Sequence, residues 1–155
     1  MDSLRRLRAP SLAGVLGWGF VLFGFVAGLR PFADNSLFTH LATGRLILES
    51  GVPRTDPYSF TAPGEPWVVQ SWLVSALYGG VERLAGLGGV RVLAGLLVGV
   101  LVGLTWRLTA PALSLLPRVA LLALAMGASA PFWVARPLLL GLVLFAVLLV
   151  VVTEE

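Results

Sequence analysis

Apolar and polar positions divide the chain into four greasy runs and one long polar interruption. The first run extends from about Pro10 to Leu29, uncharged, between Arg5, Arg6 and Arg8 on one side and Arg30-Pro31 on the other. Its length fits the hydrocarbon core of a bilayer. A cleaved signal peptide also has a basic start and an apolar middle, but no clear small-x-small site precedes Arg30, so the run reads as a retained span. The next run, Val92 to Trp106, is short unless Arg91 snorkels and the helix begins near Leu87. Val119 to Ala135 and Pro137 to Val152 follow, separated by Arg136, and read as a tight hairpin of two spans. The pattern predicts an all-α integral membrane domain over 1–155, with about four transmembrane helices at 10–29, 87–106, 119–135 and 137–152 and a long outer loop over 30–86.

Within the loop, Asp34 to Glu49 predicts a helix: Asp34 or Ser36 accepts from the first free amides, and Gly51 sits just past the end. Leu37, Phe38, Leu41 and Leu48 share one side, and Ser36, His40, Thr43 and Ile47 form a mostly polar stripe. Helical periodicity returns from about Trp67 to Leu84, with Val69, Trp72, Leu73, Ala76, Leu77, Val81 and Leu84 opposite Gln70, Ser71, Ser75, Tyr78 and Glu82. Both are expected to be amphipathic helices lying in the membrane interface, the second with partial insertion as the alternative. Between them, the Pro63-Gly64 centre of a type II turn predicts a small hairpin of Tyr58–Thr61 with Trp67–Val69.

Composition agrees with the pattern. Apolar residues make up 57% of the chain and charged ones 12%, too few to cover a water-soluble globule. All eleven basic residues are arginines, scattered except for Arg5-Arg6-Leu7-Arg8, which argues against a nucleic-acid partner. The absence of cysteine excludes disulfides and thiolate metal sites. Arginines flanking the first span, with Arg107 and Arg118 around the connection between the second and third, place the N-terminus in the cytoplasm and the long loop outside. Trp67, Trp72 and Trp133 then fall at the outer interface and Trp106 at the inner one. Gly24-x-x-x-Gly28 and Gly95-x-x-x-Gly99-x-x-x-Gly103 read as faces for close helix packing, with partner recognition as the alternative.

Three segments also carry a family resemblance: Asp34-Asn35-Ser36-Leu37-Phe38-Thr39-His40-Leu41-Ala42-Thr43-Gly44-Arg45, Pro53 to Gly64 with its Asp56-Pro57-Tyr58-Ser59, and Pro66 to Leu73. Together with Arg136-Pro137, they resemble the first outer loop of a bacterial family of multi-spanning proteins similar to the GT-C class of glycosyltransferases. The resemblance implies transfer of a sugar from a polyprenyl-phosphate carrier to an acceptor on the outer face of the plasma membrane. It implies Asp34 as catalytic base or as holder of a metal or the acceptor; as a base its pKa would be raised by the hydrocarbon edge, and the span order puts Arg136 in the same leaflet, where its guanidinium is expected to face the donor phosphate. His40 and Asp56 are further expected substrate contacts. Where relatives carry a second acid and a tryptophan pair, this chain has Ser36, Phe38 and Thr39, a departure that counts against a two-acid metal site and leaves a divalent metal open but unsupported. No other cofactor is evident.

Each residue has a plainer reading. Asp34 serves equally as a helix cap, worth about 1 kcal/mol. His40 reads as an interfacial polar residue, Asp56 before Pro57 as a turn former, and Arg136 as a headgroup anchor beside Pro137. GT-C proteins carry more spans than four, so the chain is expected to be the N-terminal part of a longer module, or to need remaining helices or a partner subunit. A non-catalytic assembly subunit or a transporter-like bundle is the alternative function, although spans without central polar residues count against transport.

Overall fold

In the computed structural model the described residues are 11–32, 34–61, 63–112 and 114–154. Arg5, Arg6, Arg8 and Pro10, which bound the first predicted span, lie outside them. Among the described residues five helices form: α1 (Leu12–Gly28), α2 (Asn35–Ser50), α3 (Trp72–Leu108), α4 (Leu115–Ser129), followed by a 3-10 turn (Ala130–Phe132), and α5 (Pro137–Thr153). No strand forms among them. The predicted hairpin is replaced by a single bridge between Thr55 and Pro66, with Asp56 N donating to Glu65 O and Trp67 N to Arg54 O.

The predicted second loop helix and second span are one 37-residue helix, α3, broken at Gly86. Gly86 has φ 64 and ψ −168, a conformation that side chains with a Cβ disfavour. The part after the break spans roughly 33 Å. Helix α3 and the segment Leu115–Phe132 are long and apolar enough to cross a membrane, and α1 and α5 are apolar helices of 17 residues each.

Helix α3 is the central element, with α1, α2 and α5 packed on it. The predicted pairing of the last two spans as a hairpin gives way to α5 packing on α3 through Leu139, Val143, Ala146 and Val150, spaced three or four apart. The glycine series close the α1–α3 seam within the chain. A Cβ on Gly28 would lie 2.8 Å from the Gly95 Cα, and one on Gly95 2.9 Å from the Phe25 carbonyl oxygen. Close backbone approach of this kind gains dispersion where lipid supplies no hydrophobic drive. Arg91, exposed, donates to the Leu29 carbonyl at the end of α1, 2.6 Å away, and the helix runs on from Gly86 as the longer alternative for the second span required.

Helix α4 begins four residues before the predicted third span and takes in Arg118, which packs on Trp106. Its guanidinium lies 3.8 Å from the centroid of the Trp106 ring and donates to the Trp106 carbonyl at 2.8 Å. The helix ends at Ser129, before Pro131, which lacks an amide donor. Trp133, expected at the interface, is buried, with Nε1 donating to Ser129 Oγ.

The largest departure concerns which faces pack. On α2 the buried residues are Leu37, Leu41, Thr43 and Gly44, and on the first part of α3 they are Ser75, Tyr78 and Gly79. Phe38, Leu48, Trp72, Leu73, Leu77 and Leu84 are exposed. On the first part of α3 the polar side, Ser75 and Tyr78, faces α2 while much of the apolar side faces outward; on α2 the seam takes Leu37 and Leu41 from the apolar side together with Thr43 from the polar stripe. Gly44 and Gly79 let the two backbones touch, with a Cβ on Gly79 falling 2.6 Å from the Gly44 carbonyl carbon. Arg45 adds a bidentate pair with Glu82 across the same seam.

Candidate functional site

Asp34 and Arg136 lie 102 residues apart in sequence and form an ion pair, Arg136 Nε donating to Asp34 Oδ2. Local sequence places both. Asp34 is the N-cap of α2, with Oδ1 accepting from Ser36 N at 3.0 Å and Oδ2 from Ser36 Oγ at 2.8 Å. Arg136 precedes Pro137, the first residue of α5, which holds it extended at φ −118 and ψ 157. Tyr78, buried in the α2–α3 seam, donates to the Arg136 carbonyl at 3.2 Å and fixes the other side of that turn. The end of α1 and the starts of α2 and α5 therefore meet at one end of the bundle. At the other end Arg107, in the last turn of α3, pairs with Glu154.

The Arg136 guanidinium above all, helped by the Ser36 hydrogen bonds, holds the Asp34 carboxyl well below the usual carboxylate range; the upward push from burial is the second-largest influence and is outweighed. The expectation that the hydrocarbon edge raises this pKa is therefore corrected: the ion pair outweighs desolvation. Arg136 is correspondingly raised by Asp34. The cleft behind the pair, lined by Phe32, Leu37, Ala94 and Trp133, holds only about 20 Å³. A ligand would reach the pair from the outer side, where the Arg136 side chain is 52% exposed.

His40 lies further along α2. Its Nδ1 is 3.0 Å from the Oγ of buried Ser75, and burial pushes the imidazole down from its ordinary value, opposed by the Asp34 charge. It is therefore neutral near pH 7. Asp56 is not gathered with the other three. Its Oδ1 accepts from Tyr58 N at 2.8 Å and Ser59 N at 3.2 Å, a turn built on its own loop. That loop folds back onto α2, where Tyr58 Oη and Thr43 Oγ1 are 3.0 Å apart.

Sequence reading missed Ser75, Tyr78 and the Thr43–Tyr58 link as parts of the site. Ser75 and Tyr78 stand three apart on the polar side of a predicted helix, a signal that was available once that side is taken to face a partner helix. Comparison with family models, curated proteins and solved structures finds no match for this chain.

Proposed function

We propose that the chain forms a four-span module of a bacterial plasma membrane, N-terminus cytoplasmic, that transfers a sugar from a polyprenyl-phosphate carrier to an acceptor at the outer face. Two long apolar helices, two further apolar helices of 17 residues and the outward-facing leucine and phenylalanine side chains support the membrane part. Helix α2 and the first part of α3 then lie at the outer edge of the hydrocarbon. The observation that carries the chemical part is the Asp34–Arg136 pair at one end of the bundle.

Arg136 gives the reading its order of events. A donor phosphate competes with Asp34 for the exposed guanidinium, as a planar fork suited to phosphate oxygens. Losing that partner removes the largest influence holding the carboxylate low, and burial then raises its basicity. The acceptor hydroxyl oxygen bonds to the sugar's anomeric carbon, the carbon–oxygen bond to the carrier phosphate breaks, and the phosphate leaves with that electron pair. The hydroxyl proton passes to Asp34. In this reading His40 contacts substrate, whereas Asp56 serves the loop.

The test uses membranes containing the full-length protein and radiolabelled polyprenyl-phosphate sugars. Asp34→Asn is expected to reduce transfer by about 10²- to 10⁴-fold with membrane insertion unchanged. Unaltered transfer removes Asp34 from the mechanism. A non-catalytic assembly module is the second reading, favoured by Asp34 being fully engaged as cap and ion-pair partner. It predicts no transfer in any variant and loss of assembly in Arg136→Ala.

A further inference from the structure

Where the loop after α2 folds back over that helix, it leaves a recess of about 400 Å³, within the range of small-molecule sites. Thr39, His40 and Thr43 line it from α2, and Trp67, Gln70 and Ser71 from the loop. Among the described residues no carboxylate, guanidinium or ammonium lines it, so its chemistry suits a neutral ligand. Hydroxyls and a neutral imidazole exchange hydrogen bonds in both directions, and the Gln70 amide offers both donors and an acceptor.

The walls are braced from behind. Ser75, fully buried, engages His40 Nδ1 at 3.0 Å, and no hydrogen bond occupies Nε2 among the described residues. Tyr58, tied to Thr43, packs edge-on against Trp67 with ring centroids 5.6 Å apart and planes at 84°. The indole and the imidazole are thus positioned in advance, which lowers the ordering cost of binding. An indole and two valines beside hydroxyl, imidazole and amide groups, without charge, match a ring that carries an apolar C–H face and a rim of hydroxyls.

We propose that this recess binds one neutral hexose-class sugar ring, stacked against Trp67 and hydrogen-bonded by His40 and Gln70. The assignment rests on the recess and not on the transfer reaction. The probe is saturation-transfer NMR with D-glucose, D-mannose and D-galactose, each added to the full chain in phosphatidylcholine nanodiscs, which avoids sugar-headed detergents. Saturable transfer to at least one hexose is expected, indifferent to excess inorganic phosphate and retained in Asp34→Asn. Trp67→Ala and His40→Ala should each weaken it by about tenfold. Gln70→Ala changes an exposed rim residue and should also weaken binding with an unchanged circular dichroism melt, so the proposal does not depend on variants that disturb folding. No saturable transfer to any of the hexoses, competition by phosphate, or wild-type affinity in both His40→Ala and Gln70→Ala would overturn it. Hexose binding that survives while sugar transfer is absent would count against the reaction alone.

Discussion

Adding one methyl group at Gly44 tests the packing on which both sites stand. A Cβ there overlaps the backbone carbonyl oxygen of Ser75, and no rotamer change can move that atom aside. Helix α2 must withdraw from α3. The withdrawal also stretches the His40–Ser75 hydrogen bond, which lies one turn earlier on α2. Overpacking of this kind costs about 1–3 kcal/mol and the hydrogen bond about 0.5–1.5 kcal/mol. Alanine's better helix propensity returns about 1 kcal/mol. The net expectation is a loss of about 0.5–3.5 kcal/mol for Gly44→Ala. Gly80 supplies the control, because it lies in the facing helix α3, next to Gly79, yet an added methyl there would meet nothing within 4 Å. Gly80→Ala should therefore be stabilising by up to about 1 kcal/mol. Reversible unfolding of the full chain in mixed micelles, titrated with sodium dodecyl sulfate and followed by far-ultraviolet circular dichroism, measures both. If Gly44→Ala proves as stable as Gly80→Ala, the seam is not held by backbone contact and the reasoning fails.

Three further outcomes follow from named groups. Because the folded-state pKa of Asp34 is lowered, its contribution to stability is complete above its ordinary value of 3.8 and is lost as pH falls through the folded value. Wild type should exceed Asp34→Asn in unfolding free energy at pH 7, with the gap closing only below about pH 4, and a constant gap throughout would dissociate the pair from stability. Gly86→Ala forces a Cβ into a backbone region reserved for glycine, and should cost about 1–3 kcal/mol by the same unfolding titration. For sidedness, the absence of cysteine permits single-cysteine labelling with an impermeant maleimide on intact cells. Asn35→Cys and Pro111→Cys lie at opposite ends of the bundle, so label is expected at the first and not the second; equal labelling would falsify the proposed topology.

Much of the helix order was legible because it rests on short-range signals. Asp34 and Gly51 bound α2 as cap residues should, and Gly86 breaks α3 in the interval between the two predicted helical stretches. Long-range choices were less legible. The sequence pattern starts the third span at Val119, and the partner that seats Arg118 inside the helix, the ring and carbonyl of Trp106, lies twelve residues away. The adjacency of Asp34 and Arg136 was expected from span counting and family resemblance, but its electrostatic consequence was not, since the direction of a carboxyl's shift depends on whether a guanidinium touches it or merely shares its leaflet.

The inward-turned polar side of the first part of α3, like the inward-turned Thr43 on α2, has one physical cause on the membrane reading. Amphipathic periodicity gives the two sides of a helix but not their surroundings, and reading polar as outward assumes water outside. Against hydrocarbon the preference reverses, because an apolar side chain gains little by leaving lipid, while a hydroxyl or imidazole without a partner loses a hydrogen bond. His40 with Ser75, Thr43 with Tyr58, and Tyr78 with the Arg136 carbonyl supply those partners inside the fold. The exposed Leu73, Leu77 and Leu84 would form an apolar patch in water but need no covering in lipid. The same arrangement explains why the candidate groups gather: polar side chains driven together by apolar surroundings are positioned by one another, in a setting where each hydrogen bond is electrostatically stronger than it would be in water.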